Sequence, residues 1–106
     1  MPASPELQPL DDLDSHIHAP TRLKILAYLA AVESVDFTFL MKQTGLTRGN
    51  LSVNLRKLEE AGYVSIQKEF VNRVPRTMLC LTAQGRDALY TYRDKMQAIL
   101  NELLKD

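Results

Sequence analysis

Apolar side chains recur at helical spacing over much of the chain and at strand spacing in one part of it. The segment "HAPTRLKILAYLAAVES" (18–34) repeats them every three or four residues, as one face of a helix does. Pro20 suits the first turn of this helix, where its missing N–H is not needed. Before it we predict a short helical segment around 10–17, preceded by a Pro-rich stretch, 1–9, that we expect to be flexible.

Two more helices are predicted over 37–44 and about 48–61, joined by a turn of about four residues. This is the spacing of a helix-turn-helix motif. A residue that can cap the N-terminus precedes each helix, and a glycine suited to a left-handed conformation follows each. The caps are Asp36 and Thr47, and the glycines are Gly45 and Gly62.

The apolar spacing changes to two in "YVSIQKEF" (63–70), where Val64 and Ile66 alternate with polar residues as in a β-strand. A second strand-like run, "RTMLCLT" (76–82), follows the turn-forming residues "VNRVP". We therefore predict a β-hairpin in which Pro75 lies at an edge or in the loop.

The last helix is predicted over about 83–104, after the capping residue Thr82. Its apolar residues follow steps of three and four, which is typical of a helix that packs along another helix. The helix is too long for one small domain to cover, so we predict a dimer interface. The alternative is that this seam packs on the first helix of the same chain. The predicted interface residues are Leu89, Tyr92, Met96, Ile99, Leu100 and Leu103.

The composition is that of an ordinary globular protein, with 106 residues, 45% hydrophobic and 25% charged. This length favours one domain, 1–106. No apolar run approaches the roughly 18 residues of a membrane span, and the acidic, Pro-rich start lacks the pattern of a signal peptide. The single cysteine, Cys80, has no intrachain disulfide partner, which favours a cytoplasmic protein without a membrane partner.

The net charge is zero, but the charges are unevenly distributed. Residues 37–81 contain seven Lys and Arg against three Asp and Glu, whereas residues 1–36 contain two against six. The basic part coincides with the helix-turn-helix and the hairpin. This distribution favours an anionic partner at these elements.

The order helix, helix, turn, helix, hairpin, long helix resembles the winged helix-turn-helix of bacterial and archaeal transcriptional regulators. The resemblance is to the MarR-like and ArsR-like groups, and most closely to a small stand-alone winged-helix DNA-binding family. It rests on "IHAPTRLKILAYL" (17–29), "FTFLMKQTGLTRGNLSVNLRKLEEAGYVSIQKEF" (37–70) and "RTMLCLTAQGRDAL" (76–89). It implies a mainly α fold with a two-stranded β-hairpin wing and a long C-terminal dimerisation helix.

The helix over about 48–61 is the expected recognition helix, which enters the major groove of DNA. Leu51, Leu55 and Leu58 form its inner stripe, and its outer face contains no acidic residue between 47 and 57. A merely solvated helix face, the alternative, usually pairs Glu with Lys. Arginine recognises guanine, asparagine recognises adenine, and Val53 suits a thymine methyl group. The predicted DNA contacts on this helix are Thr47, Arg48, Gly49, Asn50, Ser52, Val53, Asn54, Arg56 and Lys57.

The hairpin tip, about 68–76, is the expected wing, which in the resembled family reaches phosphates or the minor groove. Phosphate contacts bring affinity that falls with salt but carry no sequence information. The alternative is a solubilising loop. The predicted wing contacts are Lys68, Asn72, Arg73 and Arg76.

These features predict a homodimeric transcriptional regulator on a pseudo-palindromic double-stranded DNA operator, with recognition helices about 34 Å apart. The rival is a winged-helix protein–protein module. We find no catalytic motif and expect neither enzyme activity nor a cofactor. We also expect no metal site, since His16 and His18 are two apart and one cysteine is present. Five aromatic residues suit a pocket for a small-molecule effector. The alternative is that they belong simply to the core and the interface. They are Tyr28, Phe37, Phe39, Tyr90 and Tyr92.

Overall fold

A computed structural model describes residues 6–105, and over these residues the chain forms five helices and three strands. The helices are α1 (Gln8–Asp11), α2 (Pro20–Ala30), α3 (Phe37–Thr44), α4 (Arg48–Glu60) and α5 (Ala83–Leu103). The strands are β1 (Val35–Asp36), β2 (Val64–Val71) and β3 (Val74–Leu81). The winged helix-turn-helix fold with a long C-terminal helix is confirmed.

The first helix differs from its prediction. It lies at 8–11 rather than around 10–17, and the residues that follow form turns up to α2. Of the stretch 1–9 that we expected to be flexible, residues 1–5 lie outside the described residues, and Gln8 and Pro9 belong to α1.

Side-chain caps fix where three of the helices begin. The backbone N–H of Phe39 donates to Asp36 Oδ1 at 2.7 Å, and that of Asn50 donates to Thr47 Oγ1 at 3.1 Å. The N–H of Gly85 donates to Thr82 Oγ1 at 2.9 Å, so all three predicted caps are confirmed. Gly45 ends α3 with a φ of 72°, in the left-handed region. The turn between α3 and α4 is therefore set locally.

The sheet is antiparallel, with the strand order β1-β3-β2. The predicted hairpin of β2 and β3 is present, but β1 is an addition to the predicted two-stranded wing. Val35 pairs with Leu79 and Asp36 with Met78, so a two-residue strand closes one side of the hairpin base. Pro75 lies in β3 beyond this pairing, where that side of the strand is an edge.

The core lies between α2, α3, α4 and the base of the sheet. Leu51, Leu55 and Leu58 are buried, as their spacing predicts, and they pack with residues of α2 and the sheet. Gly85 allows the start of α5 to approach the backbone of Tyr63 closely, because a Cβ at this position would lie 2.3 Å from the carbonyl oxygen of Tyr63. These contacts hold α4 against the domain and leave its opposite face to the solvent.

The molecule is elongated, measuring 68 × 26 × 22 Å. Its radius of gyration is 16.8 Å, against about 13 Å for a compact domain of this length. Residues 67–76 of the hairpin and most residues in the C-terminal half of α5 are exposed. None of the helices in the described part has the length and apolar character to cross a membrane.

Candidate nucleic-acid interface

The outward face of α4 carries eight of the nine residues predicted to contact DNA on this helix. Val53 is 55% exposed at its centre, and around it only polar, basic or glycine residues reach the surface. The face holds no carboxylate from 47 to 57, so nothing on it repels an anion. The exposed residues are Thr47, Arg48, Gly49, Asn50, Ser52, Val53, Arg56 and Lys57.

Asn54 is the exception, and the structure corrects its predicted role as a base contact. Its side chain is only 9% exposed. The amide oxygen accepts a hydrogen bond from Arg22 Nη1 at 3.1 Å, and the amide nitrogen donates to the backbone oxygen of Asn50 at 2.9 Å and to Asn50 Oδ1 at 2.6 Å. With its hydrogen-bonding groups engaged inside the domain, Asn54 supports the face and is not part of it.

Arg22 is a site residue that the sequence pattern does not reveal. It lies on α2, and its guanidinium spans the space between the loop before α2 and α4. Nε donates to the carbonyl oxygen of His16 at 2.7 Å and Nη2 to that of Ser15 at 3.2 Å. Its charge on a largely apolar helix, which it shares with Lys24, is the signal in the sequence, and this signal gives no partner.

Arg48 is held in place at the start of α4. Its guanidinium carbon lies 5.3 Å from the centre of the Phe37 ring, which is the geometry of a cation–π contact. The stacked side chain loses freedom before any partner arrives. The Arg48 side chain nevertheless stays exposed beside the turn of the helix-turn-helix.

An open cleft of about 890 Å³ separates α4 from the wing. Arg48, Arg56, Lys68 and Arg76 line it, against two carboxylates. Oδ2 of one of these carboxylates, Asp36, lies 3.9 Å from Nη1 of Arg76, so Asp36 partly neutralises the charge of Arg76. The cleft therefore presents a net positive charge between the two elements predicted to contact DNA.

The wing tip is a two-residue turn closed by the pair Val71 and Val74. Its central residues Asn72 and Arg73 have φ angles of 53° and 66°, both in the left-handed region. Such hairpin turns favour asparagine followed by glycine. Arginine at the second position is strained, and backbone strain of this kind concentrates at functional positions. All four predicted wing residues, Lys68, Asn72, Arg73 and Arg76, are exposed.

The predicted seam of α5 divides into two parts. Leu89 and Tyr92 pack against the core of the same chain, and Ile99 is 8% exposed, which agrees with the intrachain alternative at these positions. Leu100 and Leu103 are 46% and 41% exposed, and Met96 is half-buried. An apolar groove of about 480 Å³ opens between Leu23 of α2 and this part of α5. The surface left for a partner is therefore formed by Leu100 and Leu103, beside the half-buried Met96.

The aromatic residues considered for an effector pocket do not come together. Phe37 lines the cleft beside α4, whereas Tyr92 lines the groove on α5. Tyr28, like these two, packs on the core, and Phe39 and Tyr90 are about half exposed. The positions of Tyr28, Phe37 and Tyr92 favour the alternative of core aromatics for these three. Within residues 6–105, no group of three His, Cys, Asp or Glu side chains is placed to hold a metal.

The loop before α2 is tied to the end of α4. Tyr63 Oη donates to Asp14 Oδ2, and the backbone N–H of His16 donates to Asp14 Oδ1 at 2.9 Å. Burial acts to raise the pKa of Asp14, but these hydrogen bonds and the nearby His16 outweigh it and lower the pKa below 3.8. The hydrogen bond to Asp14, followed by burial, raises the pKa of Tyr63 to about 12. This loop is the one that supplies the acceptors for Arg22.

A helix-turn-helix with an acid-free outer face beside a basic hairpin defines the class of winged-helix DNA-binding proteins. Residues 21–100 match the family model described as a winged helix DNA-binding domain, and the chain belongs to this family. An uncharacterized protein of Methanocaldococcus jannaschii is 39% identical over 71 residues, which cover 67% of this chain and 77% of that protein.

Solved structures of transcriptional regulators have the same fold. A transcriptional regulator homologue from Pyrococcus horikoshii OT3 matches with a TM-score of 0.84 and 29% identity over 92% of this chain and 98% of its own. MarR matches with a TM-score of 0.74 and 19% identity over 91% and 69%, a likeness of fold alone. The chain is thus a winged-helix DNA-binding protein that has the fold of known transcriptional regulators, MarR among them.

Proposed function

We propose that the chain, as a single winged-helix domain, binds a specific double-stranded DNA operator as a homodimer. In this proposal α4 enters the major groove and the wing contacts the phosphate backbone or the minor groove. The observation that carries it is the exposed, acid-free face of α4, which continues across a basic cleft to the cations of the wing. An anionic double helix fits both elements at once.

The proposed division of work follows from the side chains. Arg48, Asn50 and Ser52 lie on the N-terminal half of α4, which is the part of a recognition helix that meets base edges. Arg73 lies at the tip of the wing, where a charge meets phosphates without distinguishing bases. Sequence preference is therefore assigned to α4, and salt-dependent affinity largely to the wing and the cleft.

The homodimer part of the proposal is supported by the exposed apolar residues of α5. Leu100, Leu103 and Leu104 are between 41% and 76% exposed, and they continue from the groove beside Leu23. A helix that projects from a small domain with this much apolar surface suits pairing with the same helix of a second copy. Two copies related in this way read a pseudo-palindromic site with half-sites about 34 Å apart. A small-molecule effector would act by changing this spacing.

Fluorescence anisotropy with labelled duplexes at two salt concentrations tests the DNA part of the proposal. We expect binding that weakens steeply as salt rises, and tighter binding to duplexes selected from a random library than to random duplexes. A protein–protein module would show no salt-dependent binding to any duplex, and that result would overturn the proposal.

A further inference from the structure

We propose that Arg22, acting through Asn54, orients the side-chain amide of Asn50 so that its amino group faces the DNA. Asn50 then reads hydrogen-bond acceptors on the bases, and Arg22 and Asn54 are positioning residues for sequence recognition. The inference rests on the proposed function, because it specifies which base edges one residue of α4 selects.

The guanidinium of Arg22 can donate hydrogen bonds but cannot accept them. Two of its nitrogens are engaged by the carbonyl oxygens of Ser15 and His16, at 3.2 and 2.7 Å. These two contacts fix the plane of the guanidinium and aim Nη1 at α4. The group that Nη1 meets, at 3.1 Å, must therefore be the oxygen of the Asn54 amide.

The orientation of Asn54 then follows. With its oxygen facing Arg22, its amino group faces the preceding turn of α4 and donates to the backbone oxygen and to Oδ1 of Asn50, at 2.9 and 2.6 Å. The reverse orientation would set an amino group against the guanidinium. At a residue that is only 9% exposed, leaving those groups unpaired is costly. Only one orientation of this amide is compatible with its surroundings.

Asn50 is exposed, and its amide is planar, with oxygen and nitrogen on opposite sides. Because Oδ1 is drawn toward Asn54, the amino group is directed away from the helix. In the major groove guanine presents two acceptors, N7 and O6, whereas cytosine presents a donor, its N4 amino group. The bidentate contact with adenine, which the sequence suggested, needs both the oxygen and the nitrogen of Asn50 free to face the base. The structure therefore favours guanine and disfavours cytosine at the position that Asn50 contacts.

Asn54→Asp tests this orientation with a nearly isosteric change. The introduced carboxylate still accepts from Arg22, but it cannot donate to Asn50. The amide of Asn50 then turns its amino group inward to the new acceptor and its oxygen outward. In selections from a random duplex library, we expect the preference at this one position to move from guanine toward cytosine or adenine, by on the order of 10-fold. Asn50→Ala identifies the position, because its preference is lost there.

Asn72→Asp is the matched control, since it makes the same change of residue and charge on the exposed wing. It should weaken binding to all duplexes and leave the selected sequence unchanged. If Asn54→Asp fails to fold, as judged by circular dichroism, Asn54→Ala replaces it. That variant frees the Asn50 amide, and the preference at the same position should relax while the rest of the site is retained.

The outcomes separate the two proposals. A wild-type protein that enriches no sequence overturns the proposed function, and with it the assignment of Asn50. A wild-type protein that enriches a site, together with an unchanged preference in the Asn54 variants, overturns only the orientation by Arg22 and Asn54.

Discussion

The hydroxyl of Tyr63 donates a hydrogen bond to the carboxylate of Asp14, which lies forty-nine residues earlier in the chain. Tyr63 follows the end of α4, and Asp14 begins the loop whose carbonyl groups hold Arg22. The pair therefore ties the loop that holds Arg22 to the segment that follows α4. Both pKa values are displaced, that of Asp14 to below 3.8 and that of Tyr63 to about 12.

Tyr63→Phe should lower the free energy of unfolding at neutral pH by about 1.5 kcal/mol, because a hydrogen bond to a charged group is lost. The raised pKa of Tyr63 means that its contribution is complete below pH 10 and disappears as pH rises toward about 12. The lowered pKa of Asp14 means that the contribution also disappears as pH falls below 3.8. Denaturant unfolding of both proteins across this range measures the difference.

Tyr90→Phe is the control, because it removes the same hydroxyl group from a tyrosine of α5 that is 49% exposed. Its stability should follow that of the wild type at every pH. A difference between wild type and Tyr63→Phe that stayed constant from pH 7 to 12 would contradict the assigned hydrogen bond.

Arg73→Gly should affect stability and DNA binding in opposite directions. Glycine is the preferred residue at this left-handed position of the turn, so the free energy of unfolding should rise by up to about 1 kcal/mol. Loss of the charge should weaken binding to specific and random duplexes alike. It should also reduce the slope of log K against log salt by about 1. Thermal melts and anisotropy at several salt concentrations give both quantities.

Arg73→Lys separates charge from conformation at the wing. It keeps the cation and the strained φ, so the salt slope should stay near that of the wild type and the stability should not rise. A salt slope unchanged in Arg73→Gly would show that the wing tip does not contact phosphates.

Met96→Glu should produce monomers, because the residue lies in the apolar groove between the buried and exposed parts of the α5 seam. A carboxylate there would have to lose its hydration in the proposed interface. Ala98→Glu adds the same charge at an exposed position off the seam and should leave the assembly intact. Sedimentation velocity compares the variants, and a Met96→Glu protein that sediments as the wild type does would exclude this interface.

The sequence predicts the elements that depend on local chemistry. The helix caps Asp36, Thr47 and Thr82 are predictable because each is a residue with a side-chain oxygen directly before a helical apolar pattern. Strand β1 is not predicted, because two residues cannot show an alternating pattern. Val35 adopts a strand conformation by pairing with Leu79 of β3. The existence of β1 is decided by tertiary contact.

The candidate site divides in the same way. Most of its exposed residues follow from the position of the leucine stripe, which fixes the opposite face of α4. Asn54 lies at the edge of that face, and sequence alone does not show that it is buried. Its partner Arg22 lies thirty-two residues earlier, and only the packing of α2 against α4 brings the two together. The spacing of apolar residues therefore does not predict whether a polar residue at the edge of a helix face is buried.

Gly49 lies at the second position of α4, where glycine weakens a helix. A Cβ added there meets nothing within 4 Å, so the domain itself does not require glycine at this position. Gly49→Ala should therefore raise the free energy of unfolding by up to about 1 kcal/mol, and the melting temperature should rise with it. If the backbone of α4 approaches DNA closely at Gly49, the added methyl group should weaken binding. Thr91→Ala, an exposed change on α5, should stabilise its helix without altering DNA affinity. Melting curves and anisotropy with the same duplex measure both effects. A Gly49→Ala protein that is more stable and binds as tightly as the wild type would show that the backbone does not approach DNA at this position.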